Sequence, residues 1–143
     1  MSGIAGCVSR GETRTSPTPL LAEVEVLLDA LKHRGRRIPG VWQGPGCALG
    51  ATLTATTPEA LAEEQPLVDR VSGRVLVWDG RLDNRDELLA LLAHPGERPT
   101  DAELALRAFN RWEENCAQRL IGDFAFAGWD PRSQTLYAAR DPL

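Results

Sequence analysis

The sequence holds few of the residues that mark several common classes of protein. Its 143 residues include three cysteines and two histidines. The cysteines, Cys7, Cys47 and Cys116, are widely spaced, and neither a CxxC pair nor a Cys/His cluster occurs. This pattern argues against both a disulfide framework and a zinc site. The strongly apolar runs are only a few residues long, as from Val75 to Trp78, so none is long enough to form a transmembrane helix.

An excess of positive charge is also missing. The chain has 20 Asp and Glu against 16 Lys and Arg, a formal net charge of -4, which argues against a general binder of nucleic acid or of anionic membranes. The N-terminus has no basic stretch followed by an apolar one, so no secretory signal is expected. With 43% hydrophobic and 25% charged residues, the composition is close to that of globular proteins. These features predict one folded domain located in the cytoplasm.

The spacing of apolar residues predicts strands in hairpins, with helices between them. The strands are expected at 3–8, in a hairpin from 42 to 54, in a second hairpin at 67–71 and 74–78, and in a third from 124 to 139. Helices are expected to begin at Thr18, Asn84 and Thr100, the last two with capping-box spacing, and a short helix or loop is expected at 58–64. This order predicts an α+β domain with mostly antiparallel sheet.

Two details of the second hairpin matter for the candidate site. Ser72-Gly73 is a reasonable two-residue turn between its strands. The run from 75 to 78 is apolar on both faces, so it is expected to be buried between two layers. Asp79-Gly80 follows directly and is interpreted as the turn that closes this strand.

Seven short stretches stand out along the chain, and each is a weak signal alone. They are Met1-Ser-Gly-Ile-Ala-Gly6, His33-Arg-Gly35, Glu64-Gln-Pro-Leu67, Asp79-Gly-Arg-Leu-Asp-Asn84, Thr100-Asp-Ala-Glu103, Gly122-Asp-Phe-Ala-Phe126 and Ala139-Arg-Asp-Pro142. Taken together and in this order, they resemble the class II glutamine amidotransferase domain at the head of asparagine synthetases. The resemblance covers nearly the whole sequence.

The resemblance implies the N-terminal-nucleophile fold, an αββα sandwich of two antiparallel sheets. The fold is expected to be incomplete at its C-terminus, because the chain stops at Leu143 soon after a strand. Residues 1–143 would form one amidotransferase type 2-like domain, with the synthetase domain absent from this chain. ATP and Mg would belong to that synthetase domain, and no cofactor or metal is expected here. The implied partners are a synthetase domain, in cis or in trans, and a second copy in a homodimer.

The resemblance also assigns catalytic positions. In the family, a cysteine exposed by removal of Met is the nucleophile and its own α-amine is the base; here that position holds Ser2. The family's oxyanion hole is an Asn-Gly pair, and here the pair is Asp79-Gly80. An ionised carboxylate donates no hydrogen bond to a developing oxyanion, and the loss of one such donor costs about 2.7–4 kcal/mol.

The positions of the glutamine pocket are mostly altered as well. By register with the family, Thr52 replaces an Arg that holds the substrate carboxylate, and a neutral Thr cannot make that bidentate pair. Arg81 replaces an acidic residue that contacts the substrate ammonium. Asp101 matches the family's other ammonium ligand, although an Asp is favoured at a helix N-terminus in any case.

The basic stretch that follows the first helix is interpreted structurally. His33 is expected to lie at a helix end without a catalytic role. Arg34, Arg36 and Arg37 are expected to form a solvated face, with contact to an acidic partner domain as the alternative.

The substitutions at Ser2, Thr52, Asp79 and Arg81 each remove a different part of glutamine hydrolysis. We therefore interpret the chain as a degenerate glutaminase domain of an ATP-dependent, amide-forming enzyme similar to asparagine synthetase. Relatives that have lost this activity, such as beta-lactam synthetases and lasso-peptide macrolactam synthetases, use an amine of the substrate. Two alternatives stay open: a Ser-dependent N-terminal-nucleophile amidase, and a non-catalytic module that binds a separate synthetase chain, such as a lasso-peptide macrolactam synthetase.

Overall fold

Two antiparallel sheets form the centre of the described structure. The computed structural model describes residues 2–9, 18–35, 40–54 and 63–142. Sheet A has the strand order β1-β3-β2 and sheet B the order β4-β5-β6-β7. The strands are β1 (Gly3–Val8), β2 (Gly40–Gly44), β3 (Cys47–Thr52), β4 (Leu67–Val68), β5 (Val75–Leu82), β6 (Gly122–Asp130) and β7 (Thr135–Arg140).

Helices cover the outer faces of both sheets. The described α-helices are α1 (Thr18–Ala30), α2 (Arg85–Leu92) and α3 (Asp101–Trp112), and short 3-10 helices cover Lys32–Arg34 and Glu113–Arg119. Three apolar clusters lie between successive layers. The first joins α1 to sheet A, the second joins the two sheets, and the third joins sheet B to α2 and α3. The expected αββα sandwich is therefore confirmed.

Strand β5 connects two of these clusters. Its first four residues, 75–78, are between 0% and 2% exposed. Side chains alternate along a strand, so Val75 and Val77 pack between the sheets, whereas Leu76 and Trp78 pack towards α3. The prediction of a strand buried on both faces is confirmed.

The two predicted capping boxes have different outcomes. At α3, the Thr100 side chain accepts a hydrogen bond from the Glu103 amide, and the Glu103 side chain accepts one from the Thr100 amide. The predicted capping box at Asn84 is wrong, although α2 does begin at Arg85. The Asn84 side chain instead accepts from the Ile121 amide at 3.0 Å and donates to the carbonyl of Arg119 at 3.0 Å.

Both turns predicted near β5 are also wrong. Strand β4 ends at Val68, and the chain turns over residues 69–74, because the Asp69 carboxylate accepts bonds from the Ser72 amide and hydroxyl. Asp79 and Gly80 lie inside β5, where Gly80 is paired with Phe124 of β6. Gly80 has a φ of 149°, and a Cβ on it would lie 2.3 Å from the Asp123 carbonyl oxygen. Glycine is required here by this close approach rather than by a turn.

Some expectations fall outside the described residues. These are the basic pair at 36–37 and most of the helix or loop expected at 58–64. Among the residues that are described, no helix is long and apolar enough to cross a membrane.

Candidate functional site

An open cleft of about 540 Å³ lies where the ends of several elements meet. Two elements of sheet B supply most of its wall, the middle of β5 and the start of β6. The rest comes from the residue before β1, the end of the first 3-10 helix, the residues after β3 and before β4, and the end of β7 with the residue after it. Its described lining is Ser2, Arg34, Thr54, Glu63, Trp78, Asp79, Gly80, Arg81, Asp123, Phe124, Ala125, Arg140 and Asp141.

All three polar groups of Ser2 are hydrogen-bonded within this cleft. Its amide donates to Oδ1 of Asp79 at 2.8 Å, and its carbonyl accepts from Nε of Arg34 at 2.9 Å. Its hydroxyl oxygen accepts from the Thr54 amide at 3.2 Å. Residue 2 reaches these partners because β1 pairs with β3 from Gly3 onwards.

Arg34 closes a ring of contacts around the main chain of Ser2. Its Nη2 lies 3.5 Å from Oδ2 of Asp79, so the two oxygens of one carboxylate contact Ser2 and Arg34 separately. The carbonyl of Arg34 also accepts from the Thr54 hydroxyl at 2.6 Å. The prediction that Arg34 lies on a solvated face is therefore wrong, while its neighbours at 36 and 37 lie outside the described residues.

His33 lies beside this ring without joining it. Its ring Nδ1 is 3.0 Å from the carbonyl oxygen of Ala30, at the end of α1. It is exposed and is not among the described residues that line the cleft. The structure thus places His33 at a helix end, as the sequence predicts.

Four of the six predicted site residues line the same cleft: Ser2, Asp79, Gly80 and Arg81. The Arg81 side chain is largely exposed and donates to Asp83 at 2.9 Å. The bond to Asp83 and its negative charge raise the pKa of the Arg81 guanidinium above its ordinary value. Position 81 therefore carries a positive charge at every physiological pH.

The other two predicted residues are not among the described cleft-lining residues. Thr52 is fully buried, and a Cβ on Gly35 would lie 2.3 Å from its hydroxyl oxygen, so this side chain lies against the backbone of residue 35. Asp101 accepts from the Leu82 amide at 2.9 Å and forms an ion pair with Arg85. Its carboxylate joins the start of α3 to the end of β5.

Comparison with known proteins identifies the family. A family model described as glutamine amidotransferase domain matches residues 1–143. The chain belongs to this family. Its fold is also that of a solved amidotransferase, the glutamine phosphoribosylpyrophosphate amidotransferase from B. subtilis complexed with ADP and GMP. The TM-score is 0.66, with 21% identity, and the match covers 99% of this chain and 37% of that one.

The amidotransferase domain is similar to curated asparagine synthetases. It is 32% identical over 122 residues to asparagine synthetase (glutamine-hydrolyzing) 3 of Bacillus subtilis strain 168, which covers 82% of this chain and 20% of that protein. It is 31% identical over 125 residues to a putative asparagine synthetase (glutamine-hydrolyzing) of Mycobacterium tuberculosis H37Rv, covering 79% and 19%. Amidase chry2 of Gibberella zeae is 27% identical, covering 99% and 22%. The domain thus spans about a fifth of the length of these relatives.

Glu63 is a cleft residue of the amidotransferase domain that the sequence analysis missed. Its Oε1 accepts from the Gln65 side chain at 2.5 Å, and Gln65 in turn pairs with both backbone groups of Trp78, at 2.6 and 2.9 Å. Burial raises the pKa of Glu63, and the charge of Asp101 adds to this against the opposing hydrogen bonds. In the sequence, the one feature that could have pointed to Glu63 is its place two residues before Gln65, in the Glu64-Gln-Pro stretch that carries part of the family resemblance.

The carboxylate of Asp141 is used by the fold of the amidotransferase domain. Its Oδ2 accepts from the Phe124 amide at 3.1 Å, and its own amide donates to the Phe124 carbonyl at 2.9 Å. These two bonds extend the pairing of β6 with the chain after β7. The described residues contain no group of three or more His, Cys, Asp or Glu that could hold a metal ion.

Proposed function

We propose that this amidotransferase domain has lost glutamine hydrolysis and serves as a scaffold in an ATP-dependent, amide-forming enzyme similar to asparagine synthetase. The observation that carries the proposal is the closed ring of Ser2, Asp79 and Arg34. It occupies the positions at which the family places its nucleophile and its oxyanion hole. The similarity to asparagine synthetases supports the type of parent enzyme.

The nucleophile position lacks a thiol and no other cysteine replaces it. Ser2 Oγ already accepts from the Thr54 amide, and a serine hydroxyl needs a base to become nucleophilic. Cys47 and Cys116 are buried, which raises their pKa to about 12 and about 11, and neither lines the cleft. Cys7 lies in β1 outside the cleft lining, and burial raises its pKa as well. A reactive thiolate is therefore not expected at this site.

The oxyanion position has the wrong charge. Asp79 contributes two acceptor oxygens where the chemistry needs a donor, and both face cationic or N–H groups of the protein itself. The loss of one donor costs about 2.7–4 kcal/mol of transition-state stabilisation, and a fixed negative charge adds repulsion. This cost alone amounts to a rate loss of about a hundredfold to a thousandfold.

The substrate clamp is altered at both ends. A glutamine ammonium group would approach Arg81, which repels it, and a glutamine carboxylate would find no guanidinium at Thr52, which is buried beneath Gly35. Asp101 matches the family's ammonium ligand but is neutralised by Arg85. The three positions together oppose the binding of a free α-amino acid in the family's orientation.

The scaffold role follows from what is intact. All three apolar clusters consist of buried side chains that join successive layers, and the capping box of α3 is complete. A synthetase domain, joined in cis or bound in trans, would supply ATP and Mg chemistry. It would activate a carboxylate by adenylation and join it to free ammonia or to an amine of the substrate.

The first test measures ammonia release from glutamine by the domain with Met1 removed. We expect none above background. The Ser2→Cys variant should stay inactive, because Asp79 and Arg81 are unchanged. The matched comparison is the double variant Ser2→Cys, Asp79→Asn, which returns both the nucleophile and the oxyanion-hole position to the family's residues. Activity restored by Ser2→Cys alone would contradict the argument from the pocket.

The second test concerns the longest natural form of the protein. ATP consumption with candidate carboxylates should depend on ammonium or an amine and not on glutamine. Efficient glutamine-dependent turnover that Ser2→Ala abolishes would overturn the proposal, since Ser2 would then be a working nucleophile.

A second candidate function is a Ser-dependent amidase with another substrate. One observation favours it: Ser2 lines an open cleft that is also lined by Glu63, a half-buried carboxyl group whose pKa burial raises. An amidase of this kind would cleave a neutral amide that needs neither end of the glutamine clamp. Screening such amides with wild type and Ser2→Ala separates the two candidates.

A further inference from the structure

We infer that the Asp79 carboxylate, which Arg34 contacts through its other oxygen, binds the α-ammonium group that Ser2 acquires when Met1 is removed. The inference deepens the proposed function and rests on it in one respect: it supplies the reason why the α-amine no longer acts as a base. It concerns a contact made by substituted residues of this chain, since Asp79 stands where the family has an Asn.

The geometry places a carboxylate oxygen directly on the nitrogen that would become the ammonium group. Oδ1 of Asp79 lies 2.8 Å from the nitrogen of residue 2, and Oδ2 faces Nη2 of Arg34 at 3.5 Å. Nε of Arg34 holds the carbonyl of Ser2 at 2.9 Å. The carboxylate is thus held on the nitrogen by a guanidinium that also fixes the other end of the same residue. The Asp79 side chain is only 20% exposed, which limits the screening of its charge by solvent.

The chemistry that creates the ammonium group is hydrolysis of one peptide bond. An aminopeptidase that removes Met before a small residue breaks the bond between the Met1 carbonyl carbon and the Ser2 nitrogen. Water supplies the hydroxyl group of the released methionine carboxylate and a proton for the new amine. The neutral N–H that now donates to the Asp79 carboxylate is thereby replaced by a cation on the same oxygen, so Coulomb attraction between opposite charges is added to the hydrogen bond.

The ion pair should keep this amine protonated. A free α-amine titrates near pH 7.7–8.0, and an opposite charge within about 4–6 Å raises that pKa. The like charge of Arg34 acts in the other direction. The charged or titratable groups that face the cleft are four carboxyl groups and three guanidinium groups: Glu63, Asp79, Asp123 and Asp141 against Arg34, Arg81 and Arg140. This balance does not favour the neutral amine, so the amine is a poor base at neutral pH.

The experiment uses an unusual feature of the sequence. Lys32 is the only lysine among residues 1–143, so the domain without Met1 has two primary amines, that of Ser2 and that of Lys32. Intact mass first establishes that Met1 is absent. The rate of acylation by an amine-selective reagent is then followed against pH at each amine, by mass spectrometry of the two peptides. The Ser2 amine should titrate above about pH 8, and Lys32 serves as the internal control.

Two variants move the Ser2 pKa in opposite directions. Asp79→Asn should lower the pKa to about 7.7–8.0 or below, because the like charge of Arg34 remains. Each unit by which the pKa falls should raise the fraction of free amine at neutral pH by up to about tenfold. Arg34→Gln removes a like charge and should raise the pKa further, which a purely structural role would not produce. Asp123→Asn changes a cleft carboxylate that has no hydrogen bond to residue 2 among the described residues, so it should lower the pKa much less than Asp79→Asn does.

The inference is overturned if intact mass finds Met1 retained, if the wild-type amine titrates at or below about pH 8, or if Asp79→Asn leaves its pKa unchanged. Should Asp79→Asn fail to fold, the wild-type value and the Arg34→Gln variant still decide. Failure of the proposed function is distinguishable: ammonia release from glutamine by a chain whose Ser2 amine titrates above about pH 8 overturns that proposal and leaves this inference intact.

Discussion

Two arginines of this domain form similar networks in different regions. Arg74 contacts the carboxylates of Asp130 and Glu113, at 2.8 and 2.7 Å, and donates to the carbonyls of Phe109 and Asn110. It also lies over the Phe109 ring, 5.0 Å from its centroid. Its side chain is 12% exposed. The network joins the end of α3 to sheet B and serves the fold alone.

The Arg34 network has the same chemistry at the cleft. One guanidinium again joins a carboxylate to a backbone carbonyl, but Arg34 is 38% exposed and its partners belong to the positions where the family carries out hydrolysis. The comparison teaches that the same Arg–Asp ion pair can stabilise the fold in one region and, in another, fill the positions where the family binds and hydrolyses its substrate. Burial and location distinguish the two networks.

The largest expected effect is on the buried network. Arg74→Leu leaves Asp130 buried without its cation, and breaking a buried ion pair costs about 3–5 kcal/mol of unfolding free energy. Urea denaturation of the wild type and of Arg74→Leu measures the difference in unfolding free energy. Arg107→Leu is the matched control, since its pair with Glu97 is about one-third exposed and should contribute less than about 1 kcal/mol. Equal losses of unfolding free energy in the two variants would show that the buried Arg74 ion pairs stabilise the fold no more than an exposed pair does.

The pH dependence of stability sharpens this point. Burial alone would raise the pKa of Asp130, but the Arg132 amide and the Arg74 guanidinium lower it below its ordinary value. A lowered folded-state pKa stabilises the fold above about pH 4, and this contribution is lost as the pH falls through the folded value. In Arg74→Leu the burial remains while the cation is gone. Unfolding free energies from about pH 6 to about pH 3 should therefore fall less in the variant; parallel curves would contradict the coupling.

The scaffold could largely be predicted from the sequence, because its signals are local. The strand at 3–8, the buried run at 75–78 and the capping box at Thr100 each depend on residues a few positions apart. Asn84 precedes α2 as predicted, but its side chain does not make the capping bond, for the opposite reason. Its side chain bonds to Ile121, 37 positions away, and a pattern read along the chain does not contain that partner.

The candidate site could be predicted only as a set of positions. The resemblance identified Ser2, Asp79, Gly80 and Arg81, and the structure brings these four to one cleft. It could not show that Asp79 bonds to Ser2 across 77 positions. The role of Arg34 was missed because a run of arginines beside a helix end usually faces solvent, and only the pairing of β1 with β3 brings Ser2 to it.

A smaller effect is expected at the cleft network. Arg34→Leu removes the ion pair with Asp79 and the bond to the Ser2 carbonyl, but the site is more than one-third solvated at Arg34. After allowance for solvent screening, the loss of unfolding free energy should be about 1 kcal/mol. The same substitution at Arg74, measured in the same urea experiment, is its matched comparison. A loss at Arg34 as large as that at Arg74 would remove the distinction between the two regions.

The smallest effect is expected at Thr52, the position of the family's carboxylate-binding arginine. Its side chain is fully buried, and its hydroxyl has no hydrogen-bond partner among the described residues. A buried hydroxyl without a partner carries a desolvation cost of about 1–3 kcal/mol, which Thr52→Val removes while nearly keeping the shape. We expect the unfolding free energy to be unchanged or raised by up to about 1 kcal/mol.

The neighbouring threonine provides the control for this prediction. The Thr54 hydroxyl donates to the Arg34 carbonyl at 2.6 Å, so Thr54→Val removes a bond that closes the cleft network and should cost about 1 kcal/mol. Both substitutions replace a hydroxyl group with a methyl group. Their expected effects on the unfolding free energy differ in sign only because the Thr54 hydroxyl has a hydrogen-bond partner and the Thr52 hydroxyl has none among the described residues. Destabilisation of Thr52→Val by as much as Thr54→Val would mean that the Thr52 hydroxyl is bonded in solution. Position 52 would then be part of the cleft's polar network and not of the packing beneath Gly35.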